Sequence, residues 1–210
     1  MRCAYITFLF VTLSWSGCHL VGSDASERLH EAEELYQQGI SSNSSSQYES
    51  STAYLKQAEE ILVTLPVSPQ RDQLLGLTWF RLGNTSESEM LYDIAQSYYR
   101  KALPMLNPDS DATYLACAYR DIARTIAITG GEQDSVLWYF AQAEQYARDA
   151  NSPLLLLDID AYRYQLCYPD SVKHRLSVCK QLAEEHIIPA RYSEIVELLL
   201  TQHATDSAAY

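Results

Sequence analysis

Apolar residues recur three and four apart along most of this chain, in stretches separated by serine-rich, glycine or proline breaks. Leu29, Ala32, Leu35 and Tyr36 predict a helix over 26–39, with Ser26 as its N-cap, followed by a polar loop over 40–50. A helix over 51–65 is stopped by Pro66 and Pro69, and one over 70–82 is closed by Gly83-Asn84. The stripe Leu91, Ile94, Ala95, Tyr98, Tyr99, Ala102 and Leu103 predicts a helix over 87–106, ended by Asn107-Pro108. Further helices are predicted over 111–129, 134–150, 153–168, 171–186 and 190–203. No segment alternates apolar and polar residues like a strand, so the fold class is all-α.

The order within this pattern is a repeat. Asp134-Ser135-Val136, Asp170-Ser171-Val172 and Asp206-Ser207-Ala208 recur at a fixed interval of 36 residues. Such a period marks stacked units that bury their apolar faces only against each other. Each Asp-Ser pair is read as the N-cap of the helix that follows rather than as a recurring ligand. A second regularity lies on every second helix, as small–x₃–large–x₂–small: Ser51, Leu55, Ala58; Ala95, Tyr99, Ala102; Val136, Phe140, Ala143; and Val172, Leu176, Cys179. Small residues let two helices approach while the large one fills the groove beside them.

These triads, with Leu75-Gly76 and Trp79 on a first helix, resemble the tetratricopeptide repeat. The resemblance implies a right-handed superhelical array of antiparallel helix hairpins whose first helices line a concave face. The departures are Val at two of the small positions, loops of unequal length, the absence of a Leu-Gly pair after the second unit, and an insertion around Thr85–Glu89. The phrases Arg120-Asp121-Ile122-Ala123-Arg124 and Asp134 to Tyr139 look like repeats in exported lipoproteins of the Bacteroidota. There, such arrays form scaffolds or the sensory part of signalling systems.

The N-terminus carries its own message. Arg2 precedes an apolar run from Ala4 to Trp15, too short to span a bilayer but suited to a signal peptide. The run ends at Ser16-Gly17-Cys18, which resembles a bacterial lipobox, although Trp15 stands where that motif usually has leucine. The expected organisation is therefore a signal peptide over 1–17, lipidation at Cys18, a tether over 18–25 and the repeat domain over 26–210. This places the chain in a bacterial cell envelope, held to the membrane by lipid. An ordinary secretory signal cleaved nearby is the alternative.

Composition narrows the function. The net charge of −12, with 27 acidic against 15 basic residues and no dense basic run, argues against nucleic acid as a partner. None of the five histidines has a partner at metal-ligand spacing, and no phosphate loop or nucleophile elbow occurs. Pairs such as Glu33-Glu34 read as solvated helix faces. No cofactor or enzymatic activity is expected. Cys117, Cys167 and Cys179 read as buried thiols, with a Cys167–Cys179 disulfide as the other reading.

What remains for recognition is a concave face on which Arg120 and Arg124, four residues apart, could offer guanidinium forks to the carboxylates of a peptide. Pairing of both with Asp121 and neighbouring acids is the competing reading, and Trp79 is read as packing. Two functional classes follow: a non-enzymatic scaffold or sensory region that binds a protein or peptide, and a lipoprotein that captures glycan or peptide, with Trp138 and Tyr139 as a stacking platform. The last hairpin breaks off one turn into its second helix, at Asp206-Ser207-Ala208-Ala209-Tyr210. A longer array is therefore expected.

Overall fold

The computed structural model describes residues 6–167, with side chains described for 24–163, 166 and 167. These residues form seven α-helices and no strand. They are α1 (Ile6–Ser44), α2 (Tyr48–Thr64), α3 (Pro69–Ser88), α4 (Tyr92–Ala102), α5 (Ala112–Ile128), α6 (Gln133–Asp149) and α7 (Pro153–Cys167). Short connections make neighbours antiparallel, so α1/α2, α3/α4 and α5/α6 are hairpins and α7 opens the next. Each hairpin packs on the next. α1 touches α3, α3 touches α5 and α5 touches α7, whereas α2, α4 and α6 make at most marginal contact with one another. The first helices therefore stand closer together than the second helices, and the array curves with the first helices on its inner side. This is the hairpin array that the tetratricopeptide resemblance implies.

The triads on the second helices are its packing core. Ser51, Leu55 and Ala58, then Ala95, Tyr99 and Ala102, then Phe140 and Ala143 are fully buried, with Val136 nearly so. Val172, Leu176 and Cys179 lie outside the described residues. A continuous apolar cluster runs from Phe80 through Tyr99, Ile122 and Phe140 to Ile159. Leu75 and Gly76 are buried within α3, and Trp79 is half-buried, its indole N–H donating to Glu59 Oε1 at 2.7 Å.

Helix ends are where the sequence reading needs correction. α1 runs on through Ile40 to Ser44, so most of the expected loop over 40–50 is helix, and Ser26 lies inside α1 rather than at its cap. α3 passes straight through Gly83-Asn84 to Ser88, and the expected insertion over Thr85–Glu89 is largely one further turn of that helix. Asp134 and Ser135 lie in the first turn of α6, whose N-cap is Glu132, so this pair is not the cap. Asp134 there opposes the positive end of the helix dipole instead. The copies at Asp170 and Asp206 lie outside the described residues. The stripe expected over 87–106 shortens to α4 and a 3-10 turn, Leu103–Met105, because Pro104 cannot continue the α-helical hydrogen bonding.

One device explains most of these misses. α1, α3, α5 and α6 each close with a left-handed residue: Ser46, Met90, Gly130 and Asn151. In each, paired backbone bonds reach back to the last turn, as with Leu91 N to Ser86 O and Met90 N to Glu87 O, both 2.8 Å. These are Schellman closures, and only one uses glycine. Other expected breaks hold. Leu65 is extended before Pro66 and ends α2, and Ser68 accepts from Arg71 N to cap α3 with Pro69 in its first turn. Asp111, buried at the start of α5, bonds Asn107 N at 2.9 Å and Gln73 Nε2 at 2.6 Å, tying that loop to α3.

Candidate functional site

The inner side of the curve is lined by residues recurring at i, i+3/4 and i+7 along the first helices. On α3 these are Gln70, Gln73, Leu74, Leu77 and Arg81, then Asn84 and Ser88 one and two turns on. The first group faces Glu33, Tyr36 and Gln37 of α1 and Tyr114 of α5 across a groove of about 570 Å³. The second borders a recess of about 370 Å³ completed by Glu87, Tyr92, Arg120, Asp121 and Arg124. A third recess, about 380 Å³, lies between α5 and α7 around Cys117, Leu154, Leu157 and Asp158. Every one of these depressions is built chiefly from the inner helices.

Arg120 and Arg124 do lie together on the inner helix α5, but both are already paired with acids. Arg120 Nε reaches Asp121 Oδ1 at 2.8 Å, its Nη2 reaches Asp121 Oδ2 at 3.1 Å, and its Nη1 pairs with Asp158 of α7. Arg124 Nη2 is 2.5 Å from Glu87 Oε1 of α3 and 3.5 Å from Asp121. Burial opposes the charge of Arg120, yet Asp121 beside it outweighs burial and raises its pKa. The Glu87 contact is one of charge rather than an aligned hydrogen bond, since Glu87 Oε1 and Arg124 Nε are both buried without a hydrogen-bond partner. Burial lifts the Glu87 carboxyl above its ordinary range, Arg124 pulls it back and Asp121 pushes it up again. The Tyr99 hydroxyl, with one proton to give, lies 2.9 Å from Glu87 Oε2 and 3.0 Å from Asn84 Oδ1. The charged carboxylate is the stronger acceptor.

Within this recess Glu87 and Asp121 balance the two guanidinium groups, and Asp158 of α7 beside it adds a third carboxylate to the cluster. It is an internal clasp joining α3, α5 and α7, and a peptide carboxylate would have to displace its acids. The competing reading of these two arginines is the one the geometry favours.

Arg81 was missed by sequence reading and is placed differently. It projects from α3 into the larger groove, with its guanidinium 5.6 Å from the Phe80 ring and its Nε buried without a hydrogen-bond partner. Among the described residues no carboxylate lies within ion-pair distance of it. Across the groove, burial raises the pKa of Tyr36, and hydrogen bonding with Arg81 and then its charge partly offset this. The available signal was the spacing Gln70-x₂-Gln73-Leu74-x₂-Leu77-x₃-Arg81, one face of a first helix ending in a cation.

Cys117 is half-buried and free, and burial pushes its thiol upward, away from nucleophilic character. Cys167 is likewise a free thiol among the described residues, where Cys179 is not included. No group of three or more His, Cys, Asp or Glu residues among those described is arranged to hold a metal ion. Nor is any described helix long and apolar enough to cross a membrane. Cys18 lies within α1, among the residues whose side chains are not described.

The class these features define is an all-helical repeat array with a groove of mixed polar and apolar lining along its inner face. No protein-family model matches the chain, and no curated protein does. Among solved structures it is similar to aspartyl phosphate phosphatase F from Bacillus subtilis, with a TM-score of 0.45 and 17% identity over 84% of this chain. The match spans 60% of that protein's length. The fold assignment rests on the packing described above.

Proposed function

We propose that this chain is a non-enzymatic repeat protein that binds an extended segment of a protein partner along its inner face, as a scaffold or the sensory region of a signalling system. It is held at a bacterial envelope membrane through lipid on Cys18. The observation that carries the binding role is Arg81, a half-buried guanidinium in an open groove, with a spare Nε donor and no carboxylate within ion-pair distance among the described residues. A partly desolvated arginine without a carboxylate partner gains from a ligand that supplies one, and its planar fork matches a carboxylate. Gln37, Gln70 and Gln73 along the same groove can bond both N–H and C=O groups of an extended backbone. Binding would need little rearrangement, because the groove is bounded by packed helices.

Titration calorimetry with extended peptides carrying a glutamate side chain or a free C-terminal carboxylate tests this. Arg81→Ala should weaken binding roughly tenfold or more, whereas Arg120→Gln should act mainly on stability. Peptide binding indifferent to Arg81 would refute the reading. The anchor is tested separately by metabolic labelling with palmitate, which Cys18→Ser should abolish.

A further inference from the structure

A second surface lies on the other side of the array, on helices that do not line the groove. We propose that this outer face binds an acidic saccharide, with Trp138 as the stacking platform and Arg100 as the carboxylate receptor. The observation is a large aromatic ring held out in solvent beside a cation that no acid pairs among the described residues. Trp138 of α6 is 53% exposed. It stands nearly perpendicular to Tyr139, ring centres 4.9 Å apart, and is edge-packed on Tyr119 of α5 at 6.2 Å. Tyr119 in turn stacks on Tyr146 at 5.5 Å, with only 11° between the planes. Four interlocked rings fix the indole in place, so little conformational entropy remains to be lost when something stacks on it.

The charge beside it is unusual for this chain. Arg100 of α4 lies over the Tyr139 ring at 5.9 Å, its Nε 3.5 Å from the hydroxyl. Lys101, next in sequence, lies instead against Tyr98 and Trp79, at 5.4 and 5.8 Å from the ring centres, where its charge acts on Glu59. Among the described residues Arg100 has no carboxylate within ion-pair distance. In a chain of net charge −12, such a cation forms a local positive site next to an open indole.

A pyranose ring presents axial C–H groups to an aromatic face and hydroxyls at its edge, where Tyr139 and Arg100 stand ready to bond them. A uronic acid adds a carboxylate that fits the Arg100 fork. A lipid surface fits less well, because one exposed ring buries little apolar area.

The test is titration of the full-length protein with uronic-acid oligosaccharides and with neutral oligosaccharides of equal length, followed by calorimetry and tryptophan fluorescence. Uronates should bind saturably and perturb the indole emission, and neutral sugars should bind roughly tenfold more weakly. Trp138→Ala should abolish the binding, and Arg100→Gln should erase the preference for acid, with circular dichroism unchanged in both. Arg81→Ala should leave it intact, which separates this surface from the groove. The proposal is overturned by absence of uronate binding at millimolar concentration or by undiminished binding in Trp138→Ala. It is equally overturned if Trp138-dependent sedimentation with phosphatidylglycerol vesicles is found without any saccharide binding.

Discussion

Replacing Gly83 by alanine pits helix propensity against packing, and the structure says which wins. Gly83 lies inside α3, where alanine would ordinarily gain about 1 kcal/mol. A Cβ at Gly83, however, would sit 2.4 Å from Tyr99 Cε1 and 2.6 Å from Cδ1. The ring cannot swing away, because it is fully buried and its hydroxyl is tied to Glu87. Overpacking of this kind costs about 1–3 kcal/mol, and stretching the phenol–carboxylate bond adds about 1 kcal/mol or more. The net loss is about 1–3 kcal/mol, which for a chain of this size lowers Tm by roughly 3–10 °C in a calorimetric or circular-dichroism melt.

A terminal left-handed glycine at the same place would also resist alanine, so the decisive experiment is a double-mutant cycle with Tyr99→Leu. If packing is the cause, Gly83→Ala should become neutral or stabilising in the Tyr99→Leu background, a coupling of about 1–3 kcal/mol. If its cost is unchanged there, or if Gly83→Ala stabilises the wild type, the packing explanation fails.

Three further outcomes are expected. Met90 is left-handed and 71% exposed, so Met90→Gly should raise stability by up to about 1 kcal/mol, while Gly130→Ala, with open space around its Cβ but the same backbone constraint, should lose about 1 kcal/mol in urea titrations. Ser68→Ala removes the hydroxyl that caps α3 and should cost about 1 kcal/mol, whereas Ser68→Asp should retain most of the stability. Folded Glu87 holds its proton more tightly than the unfolded chain does, so the stability it contributes is fully present below the ordinary carboxylate range. That contribution is lost as pH rises through the raised folded value. As pH rises out of the ordinary carboxylate range the wild type should therefore lose stability relative to Glu87→Gln, and parallel profiles for the two would refute it.

The 3.6-residue periodicity, the proline stops at Pro66 and Pro69, and the small–large–small triads were legible along the chain because each is a local or near-local packing requirement. They suffice for an all-α array of hairpins, since a helix with one apolar stripe has to bury it against its neighbour. Helix ends were less legible. A Schellman closure depends on backbone geometry, which Ser46 and Met90 adopt without the glycine that would announce it, and Gly83 is spent on a ring sixteen positions away. Which charged side chains are paired and which are left open was decided by tertiary structure alone. Arg120, Arg124 and Arg81 carry the same charge in the sequence. Packing of α5 against α3 and α7 brings Glu87 and Asp158 to the first two and leaves the third without an acid, because partners that distant along the chain are set by how hairpins stack.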